Sequence, residues 1–144
     1  MTQEDKELLL KDICARLPYG VKVLADCDKT FDQGLIGVLV RIDPYVGNDD
    51  EYQGKYLLYQ YGVFTPSFVD EVRPYLYPLS SMTEKQKKEL DDTLVNLNLK
   101  ALSDEISSEV IATYEVDFYN KYHFDYRGLI EKGLAIDATG LNIY

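Results

Sequence analysis

Two carboxylates spaced two apart, Asp26 and Asp28, follow the apolar run Val21–Ala25, with Cys27 between them and Lys29 and Thr30 just beyond. Paired carboxylate oxygens at the end of a strand suit a divalent cation such as Mg²⁺, and a carboxylate can accept a phosphoryl group. The only histidine is His123. With Asp125 and Tyr126 close by in sequence, it has the neighbours that would orient an imidazole for proton transfer. A cationic histidine at the end of a helix is equally a partner of the helix dipole, and no nucleophile accompanies this one, so a structural role is the preferred reading. Arg41, Arg73 and Arg127 are too far apart in sequence to form a site unless the fold brings them together. The run Asn48-Asp49-Asp50-Glu51 reads as a solvated loop, because consecutive acids rarely converge on one ion.

The Asp26-Cys27-Asp28-Lys29-Thr30 run resembles the first motif of haloacid-dehalogenase-type phosphatases, in which the first Asp is the nucleophile and the second the acid/base. The resemblance implies a Mg-dependent, phosphatase-like enzyme using Asp26 and Asp28. The surroundings oppose it. That fold alternates strands and helices, whereas here the next strand follows within a few residues, too soon for a parallel crossover. The later acidic pairs, Asp49-Asp50 and Asp91-Asp92, fall in a loop and in a helix. A hairpin turn rich in Asp is the plainer reading. A calcium loop fails on its own spacing, because Phe31 stands where the central Gly belongs and Gly37 where the closing Glu belongs. No metal site and no cofactor is expected.

The elements that would carry these residues follow from periodicity. Thr2 and Asp5 have capping-box spacing, and Leu9, Leu10, Ile13, Cys14 and Leu17 make a helical apolar stripe that Pro18 and Gly20 end, with Cys14 as a small core residue. Val21–Ala25, Gly34–Ile42 and Lys55–Phe64 read as strands, Gly37 marks a bulge or a close backbone approach, and Thr65–Phe68 breaks the pattern. Val72–Leu79 holds Pro74 and Pro78 and is expected to be an edge strand or an extended segment. Thr83 and Gln86 form a second capping box, opening a helix to about Leu94, with a connection as far as Ser103. A longer helix is expected from Ser103 to about Tyr122. Asp125 would cap a short helix over Tyr126–Lys132. The expected fold class is α+β in a single domain over residues 1–144: an N-terminal helix, an antiparallel meander of three to four strands, and C-terminal helices.

Composition narrows the partners. Hydrophobic residues are 46% and charged residues 28%, a globular balance, and a chain of 144 residues can bury roughly two-thirds of its unfolded surface. The formal net charge is −10, from 25 acidic against 15 basic residues, which argues against direct nucleic-acid binding and against an anionic membrane surface. No apolar run reaches membrane-spanning length, so the expected location is the cytoplasm. There are 13 Tyr and no Trp. Strand alternation leaves some of these rings partly wet, which makes Tyr56, Tyr59, Tyr61, Tyr75 and Tyr77, together with His123 and Arg127, the candidate binding residues for a protein partner.

Three segments carry a second resemblance: Cys14–Lys22 (CARLPYGVK), Val72–Thr83 (VRPYLYPLSSMT) and Asn120–Leu134 (NKYHFDYRGLIEKGL). Together they resemble a group of short proteins of gut anaerobes, their phages and other mobile elements, a group with no assigned activity. In that group the helix segment carries Trp and a His pair where Tyr119 and Tyr122 stand here. The resemblance implies a phage or mobile-element origin. Charge, aromatic content and resemblance lead to the expectation of a small non-catalytic interaction module directed at a host protein, such as a defence or nucleic-acid enzyme that it would inhibit. The alternative is the Mg-dependent phosphatase-like enzyme of Asp26 and Asp28.

Overall fold

The computed structural model describes residues 1–25, 35–44, 55–61 and 63–144, and only the backbone of 35, 43, 44, 55–61 and 63–67. Helix α1 (Gln3–Arg16) starts at a capping box: the Asp5 amide donates to the Thr2 hydroxyl and the Thr2 amide to the Asp5 carboxylate, both at 3.1 Å. Those bonds with Thr2 hold the Asp5 carboxyl below its ordinary range. A short 3-10 turn over Leu17–Tyr19 follows, and Gly20, at φ +65°, takes the left-handed conformation that releases the chain into the sheet.

Among the described residues six strands follow: β1 (Lys22–Ala25), β2 (Leu35–Pro44), β3 (Lys55–Tyr61), β4 (Val63–Phe68), β5 (Val72–Leu76) and β6 (Ile136–Asp137), in the spatial order β4-β3-β2-β1-β5-β6. Strands β1 to β4 are joined antiparallel, each to the next. The expectation of a purely antiparallel meander needs correcting, because β5 pairs on the other side of β1 and β6 adds to β5 in parallel. The Lys55–Phe64 run is two strands rather than one. Pro66 is accommodated because β4 is the edge of the sheet. The register shift in β2 falls between Leu39 and Arg41, not at Gly37, which lies opposite Val23.

Strand β5 is not an edge, although it contains Pro74. Val21 accepts from the Leu39 amide on the β2 side, so strand alternation turns the amide and carbonyl of Val23 to β2 as well. Pro74, opposite Val23, then turns its own nitrogen away from β1, and β6 begins only at the next residue, Tyr75. The missing N–H therefore removes no rung.

Helix α2 (Glu84–Leu102) opens at the Thr83–Gln86 capping box and runs on past Asn96 and Asn98, where a connection was expected. Asn98 spans its own turn, its Nδ2 donating to the Leu94 carbonyl at 2.8 Å. Helix α3 (Ser108–Lys121) begins later than the sequence suggests, with Ser107 at its N-cap position. No helix forms over Tyr126–Lys132, which is a series of turns. The Asp125 carboxylate still caps it, accepting from the amides of Leu129 and Ile130 at 2.9 and 2.8 Å.

The main core joins Leu9 and Ile13 of α1 to Val21, Val23, Ala25, Leu39, Val72 and Leu76 of the sheet and to Leu129, Leu134 and Ala135. Cys14 is exposed instead. A second, smaller cluster of Leu90, Phe118 and Phe124 fixes the base of the α2–α3 pair. Among the described residues no helix is long and apolar enough to cross a membrane.

Candidate functional site

Between the two clusters lies a buried polar layer. Asp12 and Arg16 sit one turn apart on the inner face of α1, and neither is exposed. The guanidinium of Arg16 donates to both Asp12 oxygens, Nε to Oδ2 at 2.7 Å and Nη2 to Oδ1 at 3.0 Å, and also to the Phe124 carbonyl at 2.8 Å. Such a bidentate pair gains geometry as well as charge. Arg127 brings its Nε within 3.3 Å of Asp12 Oδ1 without reaching hydrogen-bond alignment. Both guanidiniums lie near the Tyr126 ring, Arg16 at 5.4 Å and Arg127 at 4.8 Å from its centroid, and Tyr119 stacks on the same ring.

The chain leaves α3 through His123, a non-glycine residue at φ +58°. Its carbonyl accepts from the Tyr77 amide, and the Asp125 amide returns a bond to the Tyr77 carbonyl, so the end of α3 is fastened to the continuation of β5. The imidazole stacks on Tyr144 with centroids 4.0 Å apart and planes 14° from parallel. Burial, then the charges of Arg16 and Lys22, push its pKa down to about 4. The cationic partner of a helix dipole expected from the sequence is therefore a neutral ring. Tyr144 in turn accepts from the Lys22 amide at 3.0 Å and donates to the Tyr75 carbonyl at 2.8 Å. Lys22 and Tyr75 are the next opposed pair beyond Val23 and Pro74, so the phenol bridges the ladder where β1 and β5 part. Burial raises the pKa of the Tyr144 phenol and keeps it protonated for this role.

Beside this stack is a cleft of about 390 Å³ lined by Tyr77, Gln86, Lys121, Tyr122, His123 and Tyr144, among others. The structure thus brings Tyr77 and His123 together at this cleft, while Arg127 lies against Asp12 and the Tyr126 ring. Tyr75 is buried in the sheet rather than offered to a partner. Tyr56, Tyr59 and Tyr61 lie in β3, with side chains outside the described residues. Asp26 and Asp28 also lie outside the described residues. Among those described, no group of three or more His, Cys, Asp or Glu could hold a metal ion.

A third feature is the far part of the α2–α3 pair. Helix α2 has 19 residues and is therefore about 28 Å long. Between Leu90 and Phe118 no residue is buried. Val95, Leu99 and Leu102 follow one another at helical spacing and are 59, 58 and 84% exposed, and Val110 and Val116 are exposed on α3. The stretch from Asp91 to Asp117 carries Asp91, Asp92, Asp104, Glu105, Glu109, Glu115 and Asp117, with Lys100 its only basic residue.

No family model, no curated protein and no solved structure matches the chain.

Proposed function

We propose that this protein is a small non-catalytic interaction module that engages a protein partner through the far part of its α2–α3 arm. The observation that carries this reading is the exposed Val95–Leu99–Leu102 stripe on an arm with no buried residue between Leu90 and Phe118. An apolar stripe of that kind is the usual form of a helix that docks in a groove. The acidic side chains of the same stretch favour a groove rimmed by Lys and Arg and disfavour a second copy of the same acidic arm. The resemblance to short proteins of gut anaerobes and their phages supports a host-directed role, such as inhibition of a defence or nucleic-acid enzyme. In that setting the acidic surface would face a basic groove built for nucleic acid.

The test compares wild-type chain and a Leu99→Asp/Leu102→Asp variant as bait against host lysate, at low and high salt. The expected result is a partner held by the wild type, lost by the variant and weakened by salt. Equal capture by both baits would place the interface elsewhere. Concentration-dependent self-association that the variant abolishes would replace the foreign partner with a second copy.

A further inference from the structure

We propose that the cleft between the start of α2 and the end of α3 binds a small aromatic carboxylate. This site is separate from the exposed stripe of the arm and does not depend on it. Its volume, about 390 Å³, falls in the range of small-molecule sites. Its walls include the rings of Tyr77, Tyr122, Phe124 and Tyr144, which suit a flat apolar body.

The polar groups left free in the cleft are mainly donors. Gln86 Oε1 accepts from the Thr83 amide at 2.9 Å and from the Thr83 hydroxyl at 2.8 Å. The backbone amide can only donate, so the Gln86 side chain is fixed with its oxygen inward and its NH2 group left over. Lys121 is half-exposed, with its ammonium 3.7 Å from Glu89 and 4.9 Å from the centre of the Tyr122 ring. His123 is 7% exposed, lines the cleft, and forms no side-chain hydrogen bond to another described residue. Its ring is neutral and so offers one N–H donor beside one acceptor nitrogen. The Tyr122 hydroxyl is already committed to Glu89 at 2.9 and 3.1 Å, and the Ser81 hydroxyl to the Pro78 carbonyl at 2.7 Å. An amide NH2, an ammonium and an imidazole N–H need an acceptor, and the start of α2 adds the favourable end of a helix dipole. A carboxylate on a flat ring meets both requirements.

The experiment is an amide chemical-shift titration of the folded chain with benzoate, with benzyl alcohol as the uncharged control. N-acetylphenylalanine serves as a second arm that separates a free acid from a chain terminus. Benzoate or N-acetylphenylalanine should shift amides of Tyr77–Gln86, Lys121–Phe124 and Tyr144, whichever binds tighter identifying the source, and benzyl alcohol should not. Gln86→Glu keeps the capping box but replaces the free NH2 with a carboxylate oxygen. It should weaken binding by at least about tenfold, the scale of one charge-assisted hydrogen bond. Lys121→Gln, on an exposed side chain, should weaken it by a smaller factor that salt reproduces in the wild type. Shifts scattered over other surfaces, equal shifts with benzyl alcohol, or wild-type affinity in both variants would overturn the proposal.

Discussion

Asp12 and Arg16 grip each other through two hydrogen bonds, at 2.7 and 3.0 Å, with neither side chain open to solvent. Because Arg16 also donates to the Phe124 carbonyl, the pair ties α1 to the chain leaving α3. Removing one partner leaves a buried, uncompensated charge. Asp12→Asn and Arg16→Met should therefore each cost about 3–5 kcal/mol. The double variant Asp12→Asn/Arg16→Met should cost less than the sum of the two, because the two charges that orphan each other in the single variants are both gone, and the charge left beside them, that of Arg127, is partly exposed. Urea unfolding of the four proteins measures both; strict additivity would show that the two side chains act independently.

That pair also marks where the sequence was and was not legible. The two capping boxes, the strands around Val23 and Leu39, and the antiparallel run from β1 to β3 were readable because each rests on neighbours in sequence, whereas β4 was missed because Thr65–Phe68, with its Pro66, reads as a break. Asp12 and Arg16 were passed over because charged residues read as solvent-facing. Yet with 100° per residue Arg16 lies within the arc spanned by Leu9, Asp12 and Ile13, and that spacing was the available signal. Pro74 was misplaced because a proline is excluded from a strand only on the side where its nitrogen must donate, and register decides that side. Strand β6 is two residues long and exists only through its pairing with β5. The cleft was partly legible in Tyr77 and His123. Gln86 was read as a cap, with its spare NH2 group overlooked, and Tyr144 had no local pattern at all.

The two ends of the α2–α3 arm should respond to mutation in opposite ways. Leu90 is 7% exposed and packs with Phe118 and Phe124, so Leu90→Ala should cost about 2–4 kcal/mol. Leu102 is 84% exposed, and Leu102→Ala should change stability by no more than about 0.5 kcal/mol. Thermal unfolding of both variants checks this. A large loss at Leu102 would mean that the stripe is structural, and it would remove the main support for a docking role.

The pH dependence follows from His123. Its folded pKa is about 4, below the ordinary 6.5. Between those values the unfolded chain binds a proton that the folded chain refuses, so stability rises with pH there. The contribution is complete above pH 6.5, is lost as pH falls toward 4, and levels off below that. Urea midpoints across this range should slope upward with pH in the wild type and flatten in His123→Gln. A His123 ring titrating near 6.5 by NMR would show that the imidazole is open to water.

Tyr144→Phe isolates one atom. The ring keeps its stack on His123, and only the hydroxyl between Lys22 and Tyr75 is removed. An amide and a carbonyl then face each other across a ladder that has already parted, with neither bonded. The expected loss is about 1–2 kcal/mol, more than for a surface hydroxyl because both orphaned groups belong to the backbone. Hydrogen exchange gives the sharper readout: the Lys22 amide should lose protection, while Leu24, inside the ladder opposite Arg73, keeps it. Unchanged protection at Lys22 would mean that β1 and β5 close up directly, and that Tyr144 fills the opening without holding it.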